Sequence, residues 1–379
     1  MTIDRETMLA SHGPTGDAAD YLAMAHRLES GGDLRAAASA ADQAVGLDPG
    51  GREIVAVRRS LLDRLAVTEH GITFRYIPAG TFLMGSDAGD PDEAPVHPVR
   101  LGDYWLAETP MSWAAYCDLM GWSPPQEGGM PRDFDREATG PFRKDLFALS
   151  QENKIRLQYC EDQTARAKDW HSHMPERDPE SGEWRTPVNR QHFRPPLRDE
   201  PDRPWTYDRK PMVAVSWQEA EEVCARLGSG TIIYRLPTEA EWEKAARGGR
   251  IGARYPWGNE PPDPRRCDFD RFDAFAIRPT RHFPPNDYGL YAMSGGVWEW
   301  TSDWYDSAYY RESPAENPRG PAEGEAKILR GGSWSDCAEA VTVSFRMARK
   351  SRSWRDREWG GQLAPNVGFR LCRVERTGH

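Results

Sequence analysis

The sequence predicts an α+β protein in which a small N-terminal α-helical hairpin precedes a larger domain of short strands, turns and buried rings. Residues 18–67 differ from the rest of the chain in being Ala-rich and helix-periodic. The whole chain of 379 residues holds 15 Trp, 34 Gly and 31 Pro. Large rings combined with many turn-forming residues favour an aromatic core held by irregular loops, and argue against a helical bundle or a regular parallel sheet.

The helical region is predicted over residues 1–67. Leu22, Ala25 and Leu28 recur at three-residue spacing, and Asp33 follows two glycines as the cap of a second helix. The pattern resembles one tetratricopeptide repeat with a trailing helix. Because one repeat cannot bury its own apolar face, we expect it to pack on the next domain or on a partner. A hairpin that only caps the next domain and a peptide-binding repeat both stay open.

Alternating apolar residues predict the first strands of the larger domain. Residues 72–82 alternate around a turn at Pro78 and Gly80, which predicts a β-hairpin. Residues 99–106 predict one further strand. A short helix is expected after Ser112, which is a favourable capping residue.

Two later helices carry a complete start signal. Ser216 precedes Glu219 by three residues, and Thr238 precedes Glu241 by three residues. This spacing allows the hydroxyl and the carboxylate to satisfy each other's backbone N–H groups, as in a capping box. Between the early and late segments, residues 123–210 form a long polar insertion. A segment of this length exceeds an ordinary loop, so it is functional, partly ordered or disordered.

Charge and targeting signals narrow the class of protein. The chain has 49 Lys+Arg and 59 Asp+Glu, a net charge of −10, which argues against general binding of nucleic acid. No apolar run is long enough for a membrane span. The first residues lack a basic segment followed by an apolar one, so no signal peptide is expected. Six Cys without a CxxC pair indicate a reduced, cytoplasmic protein.

Eight collinear segments resemble the formylglycine-generating enzyme, or sulfatase-modifying factor, family. They are PAGTFLMGS (78–86), VAVSW (213–217), RLPTEAEWE (235–243), YPWGN (255–259), GLY (289–291), GGVWEWTSD (295–303), LRGGSW (329–334) and NVGFR (366–370). The resemblance covers residues 70–376 apart from the insertion, and it implies a C-type-lectin-like fold. Members of the superfamily oxidise a sulfatase cysteine with copper and two cysteines, form sulfoxides with iron, or only bind ligands. The fold therefore does not decide the function.

The resemblance places the candidate catalytic residues after LRGGSW. Aligned on Arg346, the chain has Cys337 at the first cysteine position, after a one-residue insertion, and Thr342 at the second. Because a hydroxyl is a poor ligand of Cu(I), we expect the two-cysteine oxidation to be absent. Trp298 and Ser333 complete the candidate catalytic set, although a purely structural role in the core is the preferred explanation for Trp298.

The resemblance also implies structural calcium. The candidate ligands are Asp268 and Phe269 at one site and Gly295, Val297 and Glu299 at the other. Oxygen ligands of this kind suit Ca²⁺. At the second site Ala292 stands where the family has Asn or Asp, and hydrogen bonds in place of the ions are the alternative.

A redox metal is a further candidate. His171 and His173 lie two residues apart in the insertion, so they share a face on an extended chain. A nearby carboxylate could complete a facial iron site. The alternative is a solvated polar loop.

The candidate groove for a substrate or partner contains Trp334, Arg346, Arg349 and Trp354. Arginines alternating with rings suit an acidic peptide, a phosphate or single-stranded nucleic acid, and the alternative is a solvated loop. Since the family groove lies here, a protein or peptide partner is the preferred ligand.

The predicted function is a binding or accessory module that uses the family groove and has lost the two-cysteine oxidase site. The alternative is a copper- or iron-dependent oxidase or oxygenase that uses Cys337, or His171 with His173.

Overall fold

The computed structural model describes residues 16–120, 176–177, 184–185, 209–213, 215–228, 230–270, 277–349 and 366–376. Among these residues three helices come first, and short strands and helices alternate after them. The helices are α1 (Ala18–Ser30), α2 (Leu34–Leu47), α3 (Arg52–Leu65), α4 (Trp113–Met120), α5 (Trp217–Leu227) and α6 (Glu239–Arg247). The first eight strands are β1 (Val67–Glu69), β2 (Ile72–Ile77), β3 (Gly80–Met84), β4 (His97–Leu101), β5 (Tyr104–Ala107), β6 (Glu176–Arg177), β7 (Trp184–Arg185) and β8 (Ile232–Arg235). The last five are β9 (Trp298–Trp304), β10 (Lys327–Arg330), β11 (Met347–Arg349), β12 (Val367–Phe369) and β13 (Cys372–Glu375).

The strands form four sheets, and the predicted α+β class is confirmed. The largest is antiparallel in the order β1-β2-β5-β13-β8, so the last strand of the chain lies between strands from its first and middle parts. A second sheet has the order β11-β10-β9-β12, in which β12 and β9 are parallel. The pairs β3-β4 and β6-β7 complete the set. No helix in the described ranges is long and apolar enough to cross a membrane.

Two strand predictions were wrong in the same way. Residues 72–82 do not form a hairpin, because β2 pairs with β1 and β5 whereas β3 pairs with β4. Residues 99–106 are two strands in different sheets, with a break at Gly102 and Asp103. In both cases consecutive strands belong to different sheets. Each strand still has apolar residues on the side that faces the core, so the alternation of apolar residues does not reveal the change of sheet.

The predicted helix starts are confirmed. Ser216 and Thr238 each form a capping box with the Glu three residues later, and Asp33 caps α2 by accepting from the N–H of Ala36. The helix after Ser112 is α4. The predicted aromatic core is also present, because several of the largest fully buried side chains are rings. They are Trp242, Trp298, Tyr76, Tyr104, Tyr116 and Tyr288.

The N-terminal helices pack on the larger domain. The sequence left open whether they would pack there or on a partner. Small residues of α1 and α2, among them Ala25 and Ala41, share one apolar core with residues of the sheets such as Phe74. The Trp105 indole donates to the carbonyl of Leu65 at 2.8 Å. The helical region therefore caps this domain.

A buried polar network fixes this packing. The Arg58 guanidinium, 1% exposed, donates to Asp42 at 3.0 Å and to the carbonyl of Gly248 at 3.2 Å. The Tyr288 hydroxyl donates to the same carboxylate at 2.8 Å. Gly249 has φ +82°, and a Cβ there would lie 2.4 Å from the Arg58 guanidinium. Only glycine therefore lets helix and domain approach this closely.

Candidate functional site

The GGS turn after β10 places the candidate catalytic loop against β9. Gly331 and Gly332 have φ +98° and +69°, and a Cβ on Gly332 would lie 2.6 Å from the carbonyl of Ala340. Glycine is required at this close approach. The turn places Ser333 inside the domain, where its side chain is fully buried.

Ser333 belongs to an internal polar network. Its N–H donates to Asp336 Oδ2 at 2.9 Å, and its hydroxyl donates to the same oxygen. The amide of Asn366 donates to the hydroxyls of Ser333 and Ser335 at 3.1 and 3.2 Å. Burial raises the pKa of Asp336, against which hydrogen bonds from Ser333 and Trp298 act. Asp336, the residue before Cys337, thus anchors the loop to Ser333.

Cys337 and Thr342, which the resemblance aligned with the family's two cysteines, lie in different surroundings. Cys337 is exposed. Thr342 is 5% exposed, and its hydroxyl donates to the carbonyl of Glu339 at 3.0 Å. Thr342 lines a cavity of about 670 Å³ with Arg254 and Glu339, and Cys337 is not among its lining residues.

No other described thiol takes the second position. The side chains of Cys224, Cys267 and Cys372 are all buried. Burial raises the pKa of Cys267 to about 12 and raises that of Cys224 as well. Thiols held in the neutral form are poor metal ligands and poor nucleophiles. Among the cysteines whose side chains the structure describes, Cys337 is thus the exposed one.

The Glu299 carboxylate, a calcium candidate, is engaged by protein donors. The Arg370 Nε and the Trp242 indole donate to Oε2 at 2.6 and 2.7 Å, and Arg370 Nη2 donates to Oε1 at 2.7 Å. The carbonyl of Gly295 accepts from the N–H of Val297 at 3.1 Å. Arg370 supplies the positive charge that an ion would otherwise bring to this carboxylate.

The oxygens of Asp268, at the other candidate calcium site, also accept hydrogen bonds from the protein. Its carboxylate accepts from the N–H of Arg278 at 3.1 Å, and its carbonyl accepts from Gly296 at 2.9 Å. Phe269 is half-buried beside it. No cluster of three or more His, Cys, Asp or Glu side chains suited to a metal occurs within the described ranges. The carboxylates of both candidate sites therefore already have protein donors, and structural calcium stays a prediction of the resemblance.

The candidate groove residues lie in different environments. Trp334 is buried, and its backbone N–H donates to the carbonyl of Gly296 at 3.0 Å. Arg349 is half-buried on β11, and burial lowers its pKa. Trp354, like His171 and His173, lies outside the described residues.

Arg346 has a structural environment inside the domain. Its guanidinium makes a two-point ion pair with Glu239 at 2.7 and 3.1 Å and lies 4.2 Å from the centre of the Tyr310 ring. The side chain is 0% exposed. It therefore adds no charge to an exposed groove.

Sequence reasoning missed the buried charge pairs around α6. Arg330 donates to Glu243 and to the carbonyl of Val343, and Glu243 also accepts from Arg247 at 2.6 Å. Arg330 belongs to LRGGSW and Glu243 to RLPTEAEWE, so both lie in segments that carried the resemblance. Their partnership is a long-range pairing that spacing along the chain does not encode.

The comparisons with known proteins agree with this fold. Residues 66–375 match the family model described as the sulfatase-modifying factor enzyme 1-like domain. The formylglycine-generating enzyme of Streptomyces coelicolor is 31% identical over 312 residues, covering 78% of this chain and 87% of that protein. The bovine (Bos taurus) protein named inactive C-alpha-formylglycine-generating enzyme 2 is 36% identical over 209 residues, covering 50% and 58%.

A solved structure supports the fold alone. Variable protein 1 of Treponema denticola superposes with a TM-score of 0.52 at 20% identity, covering 79% of this chain and 94% of that one. The family match over residues 66–375 and the similarity to the Streptomyces enzyme show that this chain belongs to the sulfatase-modifying factor, or formylglycine-generating enzyme, family.

Proposed function

We propose that this protein is a binding or accessory module of its family and does not form formylglycine. It recognises a protein segment or a small ligand through the family groove. The observation that carries the proposal is Thr342 at the second cysteine position, with its hydroxyl donated to the carbonyl of Glu339 at 3.0 Å.

The residues present do not fit a two-thiolate copper site. Cu(I) prefers soft sulfur ligands. Among the cysteines whose side chains the structure describes, Cys337 is the exposed one, and Thr342 at the second position holds a hydroxyl that donates to the carbonyl of Glu339. We therefore derive no oxidation step for this chain.

The network around Ser333 supports the same proposal. The Ser333 hydroxyl donates to Asp336 and accepts from Asn366 at 3.1 Å, so a ligand would have to displace protein partners to reach it. Such a satisfied network rigidifies a loop. A relative whose printed name calls it inactive also belongs to this family, so loss of the oxidation is compatible with the fold.

Cu(I) binding tests the proposal. Cu(I) binding would be measured against a competing chelator under anaerobic conditions for the wild-type protein, Cys337→Ala, Thr342→Cys and the double variant that combines both changes. We expect the wild type to bind no stoichiometric Cu(I), Thr342→Cys to gain it, and the double variant to lose it again. Stoichiometric Cu(I) in the wild type that Cys337→Ala abolishes would refute the proposal.

One observation favours a second candidate, a metal-dependent oxidase that uses a single cysteine. Cys337 is exposed at the first cysteine position, and the chain is 31% identical to a formylglycine-generating enzyme over 312 residues. The copper titration separates the two candidates, because this one requires metal binding that depends on Cys337 alone.

A further inference from the structure

A cleft outside the candidate site opens between the start of β2, the end of β5 and the N-terminus of α4. Its volume is about 600 Å³, within the usual range for a small-molecule site. One wall is apolar and the rim carries positively charged side chains. The apolar part comprises Ile72, Ala107, Pro110, Met111, Ala115 and Leu371.

The backbone holds the two arginines of the rim in place. The N–H of Met212 donates to the carbonyl of Met111 at 2.8 Å, which fixes the segment after Arg209 along the end of β5 and the start of α4. The N–H of Thr280 donates to the carbonyl of Arg209, also at 2.8 Å. Arg281, the next residue, is thereby fixed beside Arg209.

One carboxylate, Glu108, lies among these cations, and Arg75 already neutralises it. Arg75 Nε and Nη2 donate to Glu108 Oε1 at 2.9 and 2.6 Å. Arg281 donates to the other carboxylate oxygen, yet its side chain is 58% exposed. A guanidinium has five N–H donors, so most donors of Arg281 remain available to a ligand.

The local charge is positive in a chain of net charge −10. Arg75 also pairs with Asp63 at 2.7 Å. Among the described residues, Arg75, Arg209 and Arg281 thus face two carboxylates, those of Asp63 and Glu108, which leaves one excess positive charge. Arg209 is exposed, and no carboxylate of the described part of the chain lies within ion-pair distance of it.

The N-terminus of α4 adds to this potential. Ser112, Ala114 and Ala115 line the cleft. The Ser112 hydroxyl accepts from the N–H of Ala115 at 3.3 Å, which marks the start of the helix. The first turn of a helix carries partial positive charge and favours anions, so the helix and the two arginines act on the same space.

We propose that this cleft binds a small organic anion, in which a carboxylate or phosphate headgroup contacts Arg281 and Arg209 and an apolar body lies on the wall formed by Met111 and Leu371. Both headgroups accept paired N–H bonds from guanidinium groups. The site is separate from the loop 333–342, so it does not depend on the function proposed above.

Calorimetric titration of the full-length protein tests this site with three probes. Hexanoate and hexyl phosphate carry the two headgroups, and 1-hexanol is the neutral control. We expect both anions to bind better than hexanol, with the tighter one identifying the headgroup. Arg281→Gln should weaken anion binding about tenfold, the usual size of one lost charged hydrogen bond.

Two further variants keep the test decisive. Arg265→Gln is the matched control, because Arg265 is 89% exposed and does not line the cleft; it should bind as the wild type does. Glu108→Gln removes the competing carboxylate and should strengthen anion binding. Anions that bind no better than hexanol, or equal affinities in Arg281→Gln and the wild type, would overturn the proposal.

Discussion

Arg370 and Glu299 form a fully buried ion pair in which two guanidinium nitrogens donate to the two carboxylate oxygens at 2.6 and 2.7 Å. Arg370 follows β12 and Glu299 lies on β9, so the pair adds to the parallel pairing of these strands. The same carboxylate is the acid that the family resemblance assigned to calcium. In this chain a side chain provides the counter-charge.

Removing one member of this pair should destabilise the protein strongly. Arg370→Gln leaves the Glu299 carboxylate buried and without its cation, a change that typically costs about 3–5 kcal/mol. Urea denaturation of the variant measures it. The double variant Arg370→Gln with Glu299→Gln should recover part of the loss, because no unpaired charge remains. Strictly additive losses would show that the two residues do not act as a pair.

Calcium should have little effect on stability. The oxygens of Glu299 accept from Arg370 and Trp242, and the Asp268 carboxylate and carbonyl accept from backbone N–H groups. We expect the melting temperature to be equal in excess EGTA and in millimolar calcium. A ligand that binds only the folded state raises the melting temperature. A higher melting temperature in calcium would therefore show that the protein binds the ion and would contradict this prediction.

The contact between α3 and the larger domain should be sensitive to Arg58. Arg58→Ala leaves the buried Asp42 carboxylate without its cation, and we expect a loss of about 3 kcal/mol or more in the free energy of unfolding. Arg64→Ala, in the same helix but 47% exposed, is the matched control and should cost about 1 kcal/mol or less. Equal effects of the two changes would contradict the proposed role of the network.

Asp303 should make stability depend on pH. Burial, and next the charge of Glu239, raises the pKa of Asp303 from 3.8 to about 7, while the backbone N–H of Glu239 and the Ser302 hydroxyl act in the other direction. The Asp303 carboxylate also interacts electrostatically with Glu241, Lys327 and Tyr309. Between about pH 4 and pH 7 the Asp303 carboxyl is therefore protonated in the folded state and ionised in the unfolded state. The free energy of unfolding accordingly falls as the pH rises through this range.

The Asp303→Asn variant isolates this effect. Asparagine keeps a carbonyl oxygen for the N–H of Glu239, which now donates to Asp303 at 3.0 Å. Relative to this variant, the wild type should lose about 2–3 kcal/mol in the free energy of unfolding between about pH 5 and pH 7. Urea denaturation at several pH values measures the difference, and parallel pH profiles would contradict the raised pKa.

Features that depend on neighbours along the chain could be predicted from the sequence. Thr238 with Glu241 and Ser216 with Glu219 are three residues apart, and each pair forms the expected capping box. The long motifs likewise identified the family, and so the fold.

Long-range pairings could not be predicted in this way. Glu299 and Arg370 are 71 residues apart, and nothing in their local sequence indicates a shared ion pair. The same holds for Arg346, which an Arg-rich segment suggested as a groove residue but which pairs with Glu239 inside the domain. Burial of an arginine depends on tertiary partners, and composition alone reports only its charge.

The most direct test of the central claim is mass spectrometry of a cysteine-containing sulfatase-type peptide incubated with this protein, Cu(I) and oxygen. The Streptomyces coelicolor relative serves as the positive control, and Cys337→Ala as the matched variant. With Thr342 at the second cysteine position, the peptide should keep its thiol at every time point. Formylglycine produced by the wild type and lost in Cys337→Ala would contradict the account and identify this chain as an oxidase.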